Sequence, residues 1–155
     1  MTIEELTIRL KQEAESFNQD EPYASPMLQE QILLKDSFKE MLTVTLACGL
    51  AGEIINREKL ETLINSCFEK FPEILEYAKK DLVATVLRDP ACLGYLEPLL
   101  FFKGFQGLQA YRIAHALWKN NERFIAKMFQ SIRDIGSEFL LSLWFLCKRK
   151  GNANK

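Results

Sequence analysis

The sequence predicts an all-α protein, a multi-helix bundle of about one domain in size. Apolar side chains recur three and four residues apart over most of the chain, which is the spacing of one face of a helix. No segment of convincing length alternates apolar and polar side chains as a half-buried strand does. The chain has 155 residues, of which 48% are hydrophobic and 26% charged. That composition is typical of a globular domain and excludes disorder over the whole chain.

A capping pattern opens the first predicted helix. Thr2 and Glu5 are three residues apart, the spacing of a capping box in which each side chain bonds the other residue's backbone N–H. Apolar side chains then recur at helical spacing as far as Phe17. The polar segment 18–25 contains Pro22 and therefore predicts a loop.

A second, longer helix is predicted after that loop. Ser25 is a favourable N-cap, and Pro26 suits the first helical position, where an N–H is not needed. Apolar side chains at helical spacing continue to about Cys48. The helix should end near Gly49 or Gly52, because glycine commonly follows the last helical turn.

The next two predicted helices are delimited by asparagine and proline. Asn56 can cap the third helix, and Pro72 is well placed to open the fourth. Asp89 should end the fourth helix, because the proline that follows it disfavours helical backbone. The segment 89–98 contains prolines and a glycine, so it is predicted as an ordered turn region.

The C-terminal part predicts two more helices with a polar break between them. The first covers about 105–118 and the second about 122–145, and residues 119–121 separate them. Gly136 costs about 1 kcal/mol relative to alanine and is expected to mark a bend. The polar end, 148–155, is expected to fray.

Charge is distributed unevenly along the chain. Residues 1–80 carry 9 basic and 15 acidic side chains, a net of −6, and residues 81–155 carry 11 basic and 6 acidic ones, a net of +5. The total of −1 disfavours a uniformly basic nucleic-acid binder. The asymmetry fits unevenly charged solvated helix faces, which composition favours. It also fits the orientation of subunits, or an anionic ligand near the C-terminal half.

The cysteines and histidine give no pattern for a metal or redox centre. No two cysteines lie within four residues of each other, and a single histidine disfavours a multi-histidine zinc site. Without an N-terminal signal, the cysteines are expected to be reduced, in a cytoplasmic protein. The cysteines are Cys48, Cys67, Cys92 and Cys147.

The apolar stretch 41–52 is too short to span a bilayer, which needs about 20 residues.

His115 is the one imidazole in the chain. It lies in a predicted helix, where Tyr111 and Trp118 recur roughly along the same side. A catalytic triad would need a nucleophile beside this histidine and a third group to orient it. Helix packing with a bond to a neighbour is the favoured interpretation, and catalysis is the less favoured one.

Two patterns near the same helix could suggest ligand sites. Gly104 and Gly107 could belong to a phosphate loop, but the full glycine pattern and a preceding strand are missing, so contact between helices is favoured. A group of aromatic residues could stack on nucleic-acid bases, but its helical spacing favours core packing. The group comprises Phe101, Phe102, Phe105, Tyr111 and Trp118.

Asp89 has the most distinctive setting of the carboxylates. It closes a predicted helix, follows Arg88 and precedes Pro90, which holds the turn rigid. A carboxylate there could hold an ammonium group or a hydroxyl of a small ligand. Without further context a turn or cap aspartate is favoured, and the two roles are compatible.

A run of motifs gives this aspartate a context. Residues 88–92 read Arg-Asp-Pro-Ala-Cys, and residues 98–105 read Pro-Leu-Leu-Phe-Phe-Lys-Gly-Phe. A helix with an Ala-His pair and a Leu-Trp pair follows over 108–118. Together with Asp81 and the early segment 26–35, this pattern resembles bacterial and plant serine acetyltransferases.

The resemblance implies transfer of an acetyl group from acetyl-CoA to the hydroxyl of L-serine, a step of cysteine biosynthesis. The family has an N-terminal all-helical domain and a C-terminal left-handed β-helix. It forms trimers that commonly pair into hexamers through the helical domains, so the resemblance implies a homo-oligomer. Asp89 is then the residue that contacts serine, by holding its ammonium group or positioning the nucleophile. The resemblance assigns no catalytic residue, metal ligand or cofactor to this chain, and acetyl-CoA is the family's co-substrate.

The sequence departs from the family pattern after about residue 139. We therefore predict a helical domain over 1–139 and a divergent tail, hydrophobic and then basic, over 140–155. The family's catalytic histidine, its aspartate partner and the acetyl-CoA cleft belong to the β-helix. His115 is therefore not carried over as the base, and the chain alone is expected to be inactive. Gln106 falls where some members have a histidine, and the family's cysteine synthase docking tail is expected to be absent.

An alternative function is that of a free-standing helical module. In this interpretation the domain associates with itself or assembles with an intact acetyltransferase. A weaker hypothesis makes residues 139–150 a membrane-surface segment, because aromatic and leucine residues precede basic ones there. A last helix packed on the domain is favoured instead, and neither a membrane nor a nucleic acid is predicted as a partner.

Overall fold

A computed structural model describes residues 1–52 and 55–133, and these residues form a helical bundle. A π-helical turn, Gln29–Leu33, directly continues the short second helix. No strand occurs in either described range, so the all-α prediction is confirmed. The helices are α1 (Ile3–Asp20), α2 (Ser25–Leu28), α3 (Phe38–Leu50), α4 (Arg57–Lys70), α5 (Glu73–Arg88), α6 (Leu96–Phe101), α7 (Lys103–Lys119) and α8 (Arg123–Arg133).

The predicted capping box is present at the start of α1. Thr2 Oγ1 accepts the Glu5 N–H at 3.1 Å, and Glu5 Oε2 accepts the Thr2 N–H at 2.7 Å. The helix continues to Asp20, so the prediction of a loop from residue 18 was wrong at its start. Polar side chains alone do not end a helix, and the first strong breaker is Pro22.

The predicted second helix is interrupted between residues 34 and 37. Ser37 is extended and its hydroxyl accepts the Glu40 N–H at 3.3 Å, which starts α3 afresh. The Phe38 N–H is satisfied by Thr7 Oγ1 of α1 at 3.1 Å, and the Phe38 side chain is fully buried. Tertiary contacts with α1 therefore favour the break over the continuous helix that periodicity predicted.

The boundaries of the third and fourth helices agree with the prediction. Asn56 Oδ1 accepts the Lys59 N–H at 3.0 Å at the start of α4. Helix α5 begins directly after Pro72 and ends at Arg88. A cap and a proline fix these ends locally, so sequence sufficed to place them.

The segment 89–98 contains more helix than predicted. Helix α6 begins within it at Leu96 and has Pro98 in its first turn, where a missing N–H costs no helical bond. Helix α7 runs from Lys103 to Lys119 and α8 begins at Arg123, so the predicted break is present, at 120–122, one residue later than predicted. The rest of the predicted last helix, Gly136 and the tail 140–155 lie outside the described residues, and the division at residue 139 stays a prediction.

Helix α3 lies at the centre of the bundle. Every residue from Met41 to Ala47 is buried, as expected of a helix with neighbours on several sides. The aromatic residues after α5 pack less uniformly than predicted. Phe105 is buried, but Phe101 is 57% and Trp118 37% exposed. The core interpretation was wrong for these two residues.

Candidate functional site

Asp89 stands at the C-terminal end of α5. Its N–H still bonds to the Thr85 carbonyl at 3.0 Å, whereas its backbone is extended, with φ −100° and ψ 104°. Pro90 disfavours helical backbone in the residue before it, so the helix ends where the sequence predicted. Asp89 as a whole is half-buried.

The Asp89 carboxylate is held through one of its two oxygens. Oδ1 accepts the Ala91 N–H at 3.0 Å, and the Asp89 carbonyl accepts the Cys92 N–H at 3.1 Å. These bonds close a tight turn in which the aspartate side chain bonds its own backbone two residues on. In the described part of the chain, no group donates to Oδ2. The carboxylate is therefore oriented while retaining an oxygen that can accept from a ligand.

A buried thiol supports the same turn. Cys92 is 9% exposed and donates from Sγ to the Gly94 carbonyl at 3.1 Å. Cys48 and Cys67 are also free. Burial raises the pKa of both thiols, that of Cys67 to about 11. A thiol with a raised pKa is a poor nucleophile, and Cys147 lies outside the described residues.

Sequence reasoning missed Glu13, which reaches from α1 to the residues that follow this turn. Its Oε1 accepts the Tyr95 N–H at 3.1 Å, and its Oε2 accepts the Leu96 N–H at 2.8 Å. A Cβ at Gly94 would lie 2.6–2.8 Å from the Glu13 carboxyl atoms. That glycine is the one local signal of a close neighbour, but it does not say which residue approaches.

Asp81 belongs to a separate polar cluster between α5 and α7. Its Oδ2 accepts from Gln109 Nε2 at 3.0 Å and from Arg112 Nη1. The Arg112 guanidinium also lies over the Tyr77 ring, 5.3 Å from its centroid. Eight residues of helix separate Asp81 from Asp89, a distance of about 12 Å along α5. Asp81 therefore joins two helices and does not share the Asp89 turn.

His115 is an exposed residue on α7. Its ring stacks on that of Tyr111, with centroids 5.8 Å apart and planes at 19°. Partial burial of the ring and the neighbouring Lys119 charge lower the pKa of His115 below the usual 6.5. These contacts are those of a residue on the surface of a helix, and the absence of a catalytic role for His115 stays a prediction.

The surroundings of Gly104, Gln106 and Gly107 at the start of α7 are those of residues that contribute to the fold. A helix, α6, and not a strand, precedes Gly104, so the phosphate-loop pattern is not completed. Gly107 is buried, whereas Gly104 is exposed and has no atom within 4 Å of a Cβ position. The side chain of Gln106 donates to the Leu99 and Leu100 carbonyls at 3.1 and 2.7 Å. It thereby satisfies the C-terminal end of α6.

The described residues provide neither a metal site nor a membrane span. In the ranges 1–52 and 55–133, no group of three or more His, Cys, Asp or Glu side chains could hold a metal ion. None of the helices described there is long and apolar enough to cross a membrane.

Comparison with known proteins places the chain in a family. The family profile "Serine acetyltransferase, N-terminal" matches residues 7–110. The chain belongs to the serine acetyltransferase family. A relative named serine acetyltransferase 1, chloroplastic, from Arabidopsis thaliana, is 37% identical over 128 residues. The match covers 83% of this chain and 41% of the relative.

Solved serine acetyltransferases contain the same helical fold over about half of their length. A serine acetyltransferase in complex with CoA superposes with a TM-score of 0.84 at 30% identity, over 86% of this chain and 57% of the other. The Neisseria gonorrhoeae enzyme in complex with serine gives 0.80 at 29% identity, over 83% of this chain and 53% of the other. The chain thus spans about half the length of these family members, and it matches their N-terminal helical region.

Proposed function

We propose that this chain forms the helical, serine-contacting part of a serine O-acetyltransferase. In that reaction the serine hydroxyl attacks the thioester of acetyl-CoA, an ester bond forms, and CoA leaves as a thiol. Family membership over residues 7–110 supports the assignment. The observation that assigns the serine contact to Asp89 is the geometry of its turn, in which one carboxylate oxygen is fixed by a hydrogen bond and the other can accept from a ligand.

The Asp89 carboxylate suits the ammonium group or the hydroxyl of serine. A charged acceptor forms stronger hydrogen bonds with an ammonium group than a neutral one does. The Ala91 N–H holds Oδ1 at 3.0 Å, so the side chain needs little reordering when a ligand binds Oδ2. The proposed role is substrate binding and orientation, while the proton is removed by another group.

The first test uses an intact member of the family. Replacing the aspartate of its Arg-Asp-Pro-Ala motif by asparagine keeps the shape and removes the charge. Losing one charge-assisted hydrogen bond should raise the KM for serine about tenfold or more. The KM for acetyl-CoA should change little, because the proposed contact is with the amino acid. Unchanged serine kinetics would contradict the role proposed for Asp89.

The second test concerns the 155-residue chain alone. Its one histidine is exposed and stacked on Tyr111, so we propose that the chain by itself does not turn over acetyl-CoA. A coupled assay of thiol release, with and without L-serine, should give no serine-dependent rate. A serine-dependent rate from the purified chain would refute this part of the proposal. The cytoplasmic location stays a prediction.

Assembly through the helical domain is the second candidate function. Large apolar side chains are highly exposed on both sides of the Asp89 turn and at the start of α8, with Leu87 78%, Leu93 92% and Phe124 83% exposed. Where exposed apolar side chains form a contiguous patch they often mark contacts with other chains, and we propose that these three residues contribute to one. Light scattering should then show an oligomer, or the chain should co-purify with an intact acetyltransferase. A strictly monomeric chain that does neither would remove this candidate.

A further inference from the structure

We propose that Glu13 is a positioning residue for Asp89, although the two belong to different helices. Glu13 lies on α1, and its carboxylate caps the start of α6. The segment that connects Asp89 to α6 is thereby fixed at the end that joins α6. The proposal rests on the function proposed above, in which Asp89 contacts serine. It adds a second residue that determines where this carboxylate lies.

The Glu13 carboxylate supplies a cap that α6 lacks. Helix α6 has no side-chain cap of its own, so its first N–H groups need an outside acceptor. The two oxygens of Glu13 accept from Tyr95 and Leu96 at 3.1 and 2.8 Å. Both bonds are assisted by charge, which makes them stronger than bonds to a neutral acceptor.

Two hydrogen bonds link Gly94, which lies beside this cap, to Asp89 through Cys92. Gly94 lies under the Glu13 carboxylate, and its carbonyl accepts the Cys92 thiol at 3.1 Å. The Cys92 N–H in turn bonds the Asp89 carbonyl at 3.1 Å. The segment 89–96 is therefore tied at successive points, and a displacement at Glu13 is transmitted to the aspartate.

Glu13 is itself held on a rigid face of α1. Leu10, one turn before it, and Ala14, directly after it, are both fully buried. The Arg9 guanidinium lies over the Tyr95 ring, 5.9 Å from its centroid, which adds a second contact between α1 and the start of α6. The cap thus has a fixed base, as a positioning residue requires.

Amide hydrogen exchange of the full chain tests the proposal without any ligand. In Glu13→Ala, exchange at Tyr95 and Leu96 should accelerate about ten- to a hundredfold, the range for losing a hydrogen bond to a charged acceptor. The Ala91 amide resonance should also shift, because its N–H reports the Asp89 side chain. Amides of the central helix α3 should be unchanged. Glu15→Ala, an exposed residue of the same helix, is the matched control.

Two further variants keep the test decisive. If Glu13→Ala does not fold, Glu13→Gln retains one acceptor oxygen and should accelerate exchange less than the alanine variant. In Gly94→Ala the new Cβ would displace the carboxylate, so it should reproduce the Glu13→Ala pattern. In the double variant Glu13→Ala/Gly94→Ala, the second change should add little, because the two act on the same contact.

Two results would overturn the proposal. One is unchanged exchange at Tyr95 and Leu96 in Glu13→Ala. The other is faster exchange there with an unmoved Ala91 resonance, since the cap would then not act on Asp89. Failure of the serine assignment is seen separately, as unchanged serine kinetics in the intact enzyme, because the exchange experiment contains no substrate.

Discussion

Replacing the buried Gln109 by methionine should destabilise the fold. Gln109 is 0% exposed and donates from Nε2 to Asp81 Oδ2 at 3.0 Å. Its Oε1 accepts from Arg112 Nη1 at 3.1 Å. Methionine has a similar length and no hydrogen-bonding amide, so Gln109→Met removes both bonds and leaves the side-chain volume nearly unchanged.

The magnitude follows from the surroundings of the three residues. A hydrogen bond to a charged partner contributes about 1.5–3 kcal/mol. The Asp81 and Arg112 side chains are 26% and 24% exposed and remain paired with each other. In the variant, water and the remaining ion pair therefore satisfy the freed groups of Asp81 and Arg112 in part. The buried methionine side chain also contributes favourable apolar burial. The expected net loss is about 2 kcal/mol, or a fall in Tm of about 4–8 °C.

Urea unfolding of the full chain, followed by circular dichroism, measures this loss. Gln12→Met, an exposed glutamine on α1, is the control and should stay within about 0.5 kcal/mol of the unchanged chain. In an Asp81→Ala background, Gln109→Met should cost less, because one of its two partners is already gone. A loss below about 0.5 kcal/mol for Gln109→Met would refute the view that this cluster fastens α5 to α7.

Two further predictions concern titrating groups. Burial raises the pKa of the Cys67 thiol to about 11. At pH 8 this thiol should therefore react with a disulfide reagent at least tenfold more slowly in the folded chain than in the urea-unfolded chain, and equal rates in the two states would contradict this prediction. A proton NMR titration should give a midpoint below 6.5 for His115, the single imidazole, and Lys119→Gln should raise that midpoint. Because the histidine binds a proton more readily in the unfolded chain than in the folded one, protonation of His115 lowers the free energy of unfolding as the pH falls below about 6.5. A midpoint at or above 6.5 would show that the sign is wrong.

Elements with local boundaries could be predicted from the sequence. The Thr2–Glu5 capping box, the Asn56 cap and the end of α5 before Pro90 all depend on residues within four positions of each other. The break before α3 could not be predicted in the same way. It depends on Thr7 of α1, which accepts the N–H of Phe38, 31 residues later.

The candidate site divides along the same line. Asp89 could be singled out because its helix end and proline are adjacent in the sequence. Glu13 could not, because its partners are 82 and 83 residues away and its own surroundings on α1 are those of an ordinary helical glutamate. The exposure of Trp118 could not be predicted either. Helical spacing does not show what lies beside the ring, and in the structure the cationic groups of Arg123 and Lys127 lie there in place of apolar core side chains.

The 82-residue separation between Glu13 and Tyr95 also bears on how the protein folds. The length-dependent part of the entropic free energy of closing a flexible loop of that length is about 4 kcal/mol. This cost is incurred before the bonds that compensate it can form. Helix α1 is synthesised first and must wait until residue 96 is available before the carboxylate finds its partners. The contact between Glu13 and the start of α6 therefore belongs to the non-local part of folding, and removing α1 would leave α6 without that cap even if every residue around Asp89 were retained.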